Sequence, residues 1–185
     1  MLRVVAFGTL INDKRFYVTR RGKVVSYLPV GYVVERNVFV QENSPKSVLL
    51  PDDVGEDIWK RQTYYTATVK QNEDGGAPWF EVVRSDKPDE IHGALSPAKA
   101  WRAAVESAKR DFPDRVEELA HLSADEQREW KGDGRKFLGL NKRAVIDQLE
   151  MMASEPHVKQ WLADIERQAA SGDPAPETWS QSFSE

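Results

Sequence analysis

The chain has 185 residues, the size of one domain or of one domain with a tail, because compact domains mostly run to about 100–200 residues. Its 26 Lys and Arg against 30 Asp and Glu give a net charge of −4, so no overall positive field draws it to phosphate or anionic lipid. Cysteine is absent, which excludes disulfide frameworks, thiolate nucleophiles, zinc ribbons and cysteine-held iron–sulfur clusters and points to a reducing compartment. A hydrophobic content of 40% with six Trp belongs to a folded chain. No window approaches the roughly 18 consecutive apolar residues of a membrane span.

The residues up to about 85 read as strands and the rest as helices. Leu2 to Ile11, Arg15 to Thr19, Val30 to Val40, Gln62 to Lys70 and Trp79 to Ser85 gather β-branched and aromatic residues between turn formers. The first of these is interrupted by Gly8 and Thr9 and has no cleavage pattern, so it reads as a strand and not a signal peptide. The stretch from Glu42 to Glu56 reads as a long irregular connection.

After Ser85 the period becomes 3.6 residues. Ser96-Pro97 predicts a helix start, and Ala98, Trp101, Val105 and Ala108 share one stripe of the helix that follows. A short helix is expected from Pro113 with Val116, Leu119 and Ala120 inward, then another capped by Ser123 with Glu126. Asn141 is the expected cap of a helix carrying Val145, Ile146, Leu149 and Met152. Ser154-Glu155-Pro156 opens a last one with Val158, Trp161, Leu162 and Ile165 inward, ending at Gly172. Residues 172–185 read as an acidic tail without a core of its own, although Trp179 and Phe183 stand in it.

No constellation for catalysis emerges. His92, His121 and His157 have no metal-ligand spacing, and the glycines form no phosphate-binding loop. Asp52, Asp53, Glu56 and Asp57 read as a solvated acidic loop in preference to a cation site. The chain is therefore expected to be no enzyme, with no cofactor, metal or small-molecule substrate and no membrane partner.

Charge is uneven along the chain. Met1 to Arg36 holds seven bases and two acids, whereas Ala163 to Glu185 holds five acids and one base. Lys14, Arg15, Arg20, Arg21 and Lys23, with Phe16 and Tyr17 between them, form a basic-aromatic run suited to phosphates and bases, or to a charged, soluble hairpin. A nucleic-acid partner is the secondary expectation. Trp179 and Phe183, four residues apart in a polar tail, are the candidate protein-docking residues.

Five segments in order resemble the FYR region, the phenylalanine/tyrosine-rich module of chromatin proteins. Phe7-Gly8-Thr9-Leu10-Ile11, Phe16-Tyr17 and Tyr27-Leu28-Pro29-Val30-Gly31-Tyr32 with Arg36 resemble its N-terminal half, FYRN, over residues 1–42. Tyr64 to Val69, with Tyr65 in it, and the strand of Pro78 and Phe80 open the C-terminal half, FYRC, over residues 62–153. Ser96-Pro97 with Trp101, and Gly134 to Leu140 with Phe137, Gly139 and Val145, complete it. Where the family usually has a serine two positions before the arginine, this chain has Val34.

The resemblance implies a single α+β module over residues 1–153, an antiparallel sheet from the N-terminal half with helices of the C-terminal half packed on it. An additional helix, 154–171, and the tail lie outside it. It further implies a nuclear adaptor that joins proteins of a chromatin or histone-modifying complex. Its signature residues are core and turn formers, so they certify a fold and do not mark an active site.

Overall fold

A computed structural model describes residues 2–39, 48–51, 62–122 and 134–172. Strand β1 (Leu2–Ala6) sends Leu2 and Val4 inward and Arg3 and Val5 outward, the period of two expected of a strand with one buried face. It pairs with β4 (Val33–Asn37) on one side and β5 (Val48–Leu49) on the other. Then β4 pairs with β6 (Tyr64–Gln71), β6 with β7 (Pro78–Arg84) and β7 with β8 (Lys87–Ala94), giving a six-stranded sheet in the order β5-β1-β4-β6-β7-β8.

The fold is α+β, as expected, with helices supplied by the C-terminal half. The sheet, however, is mixed. Strand β5 lies parallel to β1, because a chain that leaves β4, steps over β1 and runs back must follow the direction of β1.

A separate hairpin joins β2 (Tyr17–Arg20) to β3 (Lys23–Tyr27). Its two turn residues, Arg21 and Gly22, both have positive φ, 52° and 71°, which gives the tight hairpin turn whose twist matches its strands. Strands β3 and β8 are not among those the sequence predicts, and β5 lies within the stretch from Glu42 to Glu56 that reads as an irregular connection. In β8, Pro88, Asp89 and Glu90 resemble a loop; they bulge out between the Arg84–Lys87 and Val83–Ile91 pairings. Proline, charge and a bulge are the features that protect an edge strand from further pairing.

Helix α1 (Pro97–Asp111) starts as the sequence predicts, with the Ser96 hydroxyl accepting from the Lys99 amide at 3.3 Å. Its Trp101, Val105 and Ala108 are buried on the sheet face that carries Tyr65, Ala67, Val69, Phe80 and Val82. The short helix expected from Pro113 is a 3-10 helix, Pro113–Leu122, kinked at Arg115; Leu119 enters the core as expected, whereas Val116, expected inward, stays 40% exposed. The expected helix of Ser123 and Glu126 lies outside the described residues.

Helices α2 (Gly134–Leu138), α3 (Arg143–Ala153) and α4 (Pro156–Ala170) follow. The residue capping α3 is Lys142, not Asn141, and its side chain makes no cap hydrogen bond. Val145 and Leu149 of α3, and Val158 and Ile165 of α4, belong to the same core as Val4, Tyr65 and Trp101. On the opposite face of the sheet Arg3, Glu35, Thr66, Val83 and Ile91 form one cross-strand row.

Candidate functional site

Residues of the two halves meet in one joint. Tyr32 is fully buried and its hydroxyl donates to the Leu138 carbonyl at 3.0 Å. Burial pushes its phenol well above the usual range. Arg36 donates to the Lys136 carbonyl at 2.9 Å and lies 5.6 Å from the centre of the Phe137 ring. Phe137 packs on Trp101, and Trp101 on Tyr65, each with ring centroids 4.5 Å apart. The N-terminal half thus holds the 136–138 backbone, and the C-terminal half clamps the same segment with aromatic rings.

The glycines of the signature permit close approach. Gly8 has φ +68°, and a Cβ there would sit 2.3 Å from the Val30 carbonyl oxygen and 2.6 Å from the Tyr32 nitrogen, both backbone. Gly139 has φ +71° and sits against Leu2, whose Cδ1 a Cβ would meet at 2.7 Å. Gly31 donates to the Val69 carbonyl at 2.8 Å and Val69 to the Tyr32 carbonyl at 2.9 Å, which extends the β4–β6 ladder between the halves. Pro29 is buried just before this crossing, and Pro78 is the buried first residue of β7, where a missing N–H is tolerated. Phe80 and Val145 are core; Ser96 and Pro97 start α1. Val34 is core in β4 at 1% exposure, so a polar side chain has no place there.

Not every polar group in the joint is satisfied. The Tyr65 hydroxyl and the Trp101 indole N–H are buried without a hydrogen-bond partner among the described residues.

The five basic residues read as one run are divided by the fold. Lys14 and Arg15 stand at the base of the hairpin, where Arg15 pairs with Asp13 at 2.6 Å and donates to the Gly75 carbonyl at 2.7 Å. Arg20, Arg21 and Lys23 stand at its tip. Lys23 pairs with Glu166 of α4 at 3.0 Å, and the other oxygen of that carboxylate accepts from the Val24 amide at 3.1 Å. These contacts, the lysine first, hold the Glu166 carboxyl below its ordinary range. Arg20 and Arg21 are exposed. Trp179 and Phe183, and the acidic stretch of Asp52, Asp53, Glu56 and Asp57, lie outside the described residues.

One cluster went unread in the sequence. Arg84, 3% exposed, bonds Asp86 and Asp111, and Lys87 reaches Asp111 at 2.6 Å. The signal was present: Pro78, Phe80, Val82 and Arg84 alternate on one face, which puts an arginine at an inward position. Asp111, bonded first by Lys87 and then by Arg84, is held down to about 2. This cluster ties the β7–β8 turn to the end of α1.

Of the histidines, His92 lies 3.2 Å from Glu90 and His157 packs edge-on against Trp161. Among the described residues there is no group of three or more His, Asp or Glu placed to hold a metal, and no helix long and apolar enough to cross a membrane. No family model matches the chain, and no curated protein matches it.

Proposed function

We propose that this chain is a non-catalytic protein–protein interaction module, an FYR-like adaptor of a nuclear chromatin or histone-modifying complex. The observation that supports it most is the joint. The side chains that the resemblance names, Tyr32, Arg36, Tyr65, Trp101 and Phe137, are engaged with one another across the two halves instead of lining a cleft for a substrate. The faces left for a partner are then the exposed ones. Ile91 and Leu95, 58% and 57% exposed at the β8 edge, are apolar groups of the kind that protein contacts cover.

Nucleic-acid binding is the second reading, favoured by the exposed Arg20 and Arg21 at the hairpin tip. One experiment separates the two. The tagged chain is used to purify partners from nuclear extract with and without nuclease, and the bound proteins are identified by mass spectrometry. The adaptor reading expects chromatin subunits that survive nuclease. Loss of those proteins with nuclease, with Arg20→Glu/Arg21→Glu abolishing recovery, transfers the function to the hairpin and overturns the adaptor reading.

A further inference from the structure

Strand β8 is the last of its sheet, and among the described residues no strand lies beyond it. A sheet edge presents backbone N–H and C=O groups that another extended chain can pair. Only the first half of this edge is guarded. Pro88, Asp89 and Glu90 bulge at its start, but residues 91–95 contain no proline, no carboxylate, no lysine and no arginine. Helix α1 begins at Pro97, so 91–95 is the whole of the unguarded stretch, and Gly93 is its midpoint.

Exposure alternates along that stretch. Ile91, Gly93 and Leu95 are exposed and His92 and Ala94 half-buried, which puts the first three on the helix-free face of the sheet. Gly93 has its place there because the Trp79 ring of β7 lies over it: a Cβ on Gly93 would sit 2.5 Å from the indole Cζ2 and 2.9 Å from Cε2. Ile91 and Leu95, 58% and 57% exposed, stand on either side of Gly93 along the chain. The edge thus carries an apolar row, an aliphatic group, an indole and an aliphatic group, symmetric about Gly93.

Such a row is complementary to itself. When two copies meet as antiparallel strands about a two-fold axis with Gly93 opposite Gly93, Ile91 of each faces Leu95 of the other. Apolar pairs directly opposite one another are the contacts that stabilise neighbouring strands. The same register uses residues 91–95 of both copies in full, leaves both bulges outside the pairing, and puts Glu90 opposite Ser96 instead of another carboxylate.

We propose that β8 pairs with β8 of a second copy of this chain, antiparallel and centred on Gly93, so that two sheets join into one. Pairing over so short a stretch falls below the roughly 800 Å² per partner of a stable interface, so the dimer is weak and depends on concentration. The inference names one occupant for the β8 edge and stands apart from the adaptor reading, since its test contains this chain alone.

The test is sedimentation velocity over a range of concentrations. The original chain is expected to be a monomer near ~1 μM and a dimer by ~500 μM. Ile91→Lys/Leu95→Lys places lysines opposite one another and is expected to weaken the dimer at least about tenfold, whereas Ile91→Lys/Leu95→Glu sets each lysine opposite a glutamate and restores it. The register is read by cross-linking, because the chain has no cysteine of its own. Under mild oxidation Ile91→Cys/Leu95→Cys is expected to give a disulfide-linked dimer. Ile91→Cys alone gives none, since the two copies of position 91 then stand roughly 13 Å apart, beyond the ~7 Å that a disulfide spans between Cα atoms. Both side chains are exposed, and an unchanged melting temperature checks that the variants fold. A chain that stays monomeric at ~500 μM, a dimer that Ile91→Lys/Leu95→Lys leaves intact, or cross-linking by Ile91→Cys alone overturns the proposal.

Discussion

Two buried tyrosines of the same joint have opposite hydrogen-bonding situations. The Tyr32 hydroxyl donates to the Leu138 carbonyl, whereas the Tyr65 hydroxyl is buried without a partner among the described residues. Removing a hydroxyl that satisfies a buried carbonyl costs about 1 kcal/mol, while removing an unpaired one relieves a desolvation penalty. Tyr32→Phe is therefore expected to lower unfolding stability by about 1 kcal/mol, and Tyr65→Phe to leave it unchanged or raise it, in denaturant titrations followed by Trp fluorescence. Equal losses from both substitutions would contradict the assignment. The resemblance brought Tyr32 and Arg36 to notice, but not what they bind. Their partners are the backbone carbonyls of residues 136 and 138, and a carbonyl leaves no mark on the identity of the residue that bears it.

At the scale of elements, helices were more legible than strands, for a physical reason. Trp101, Val105 and Ala108 repeat every three or four residues over a long window, and the Ser96-Pro97 start adds an independent signal. Strand β8 has no such redundancy: Pro88, Asp89 and Glu90 protect a sheet edge and for that reason read as a loop. In the basic run, sequence proximity suggested one surface, but four residues of β2 set Lys14 and Arg15 at one end of the hairpin and Arg20 and Arg21 at the other.

The ion cluster that anchors the β7–β8 turn to α1 has a consequence for acid stability. Asp111, ordinarily 3.8 and held at about 2 in the fold by Lys87 and Arg84, has a depressed folded value. Its contribution is complete above the ordinary value and is lost as the pH falls from about 4 toward 2. Melting temperatures measured across that interval are expected to fall more steeply for the original chain than for Asp111→Asn. Identical slopes would show that the carboxylate is not coupled to folding.

In the whole molecule the two halves are not stacked side by side but share one sheet and one core. Strands β1 and β4 come from the N-terminal half and β6, β7 and β8 from the C-terminal half; β4 and β6 pair along five residues each. The joint of Tyr32 and Arg36 with the 136–139 segment closes the same seam on the helical side. Neither half buries its apolar face alone, so each is the other's principal partner, and the surfaces that remain exposed are those available for other proteins. Helix α4 enters this same core through Val158 and Ile165 and ties itself to the hairpin through Glu166. The Lys23–Glu166 pair joins positions 143 residues apart, a contact that no local pattern in the sequence signals.

The claim that the halves form one seam is tested most directly by cutting the chain between them. A protease site is placed within residues 52–61 of the full chain, the connection is cleaved under native conditions, and the products are followed by size-exclusion chromatography and thermal melting. Co-elution of the two pieces in equal amounts with a single cooperative melt is the expected result, with Tyr32→Phe/Arg36→Ala loosening the complex. Separation of the pieces in native buffer, or two independent melts, would contradict the account.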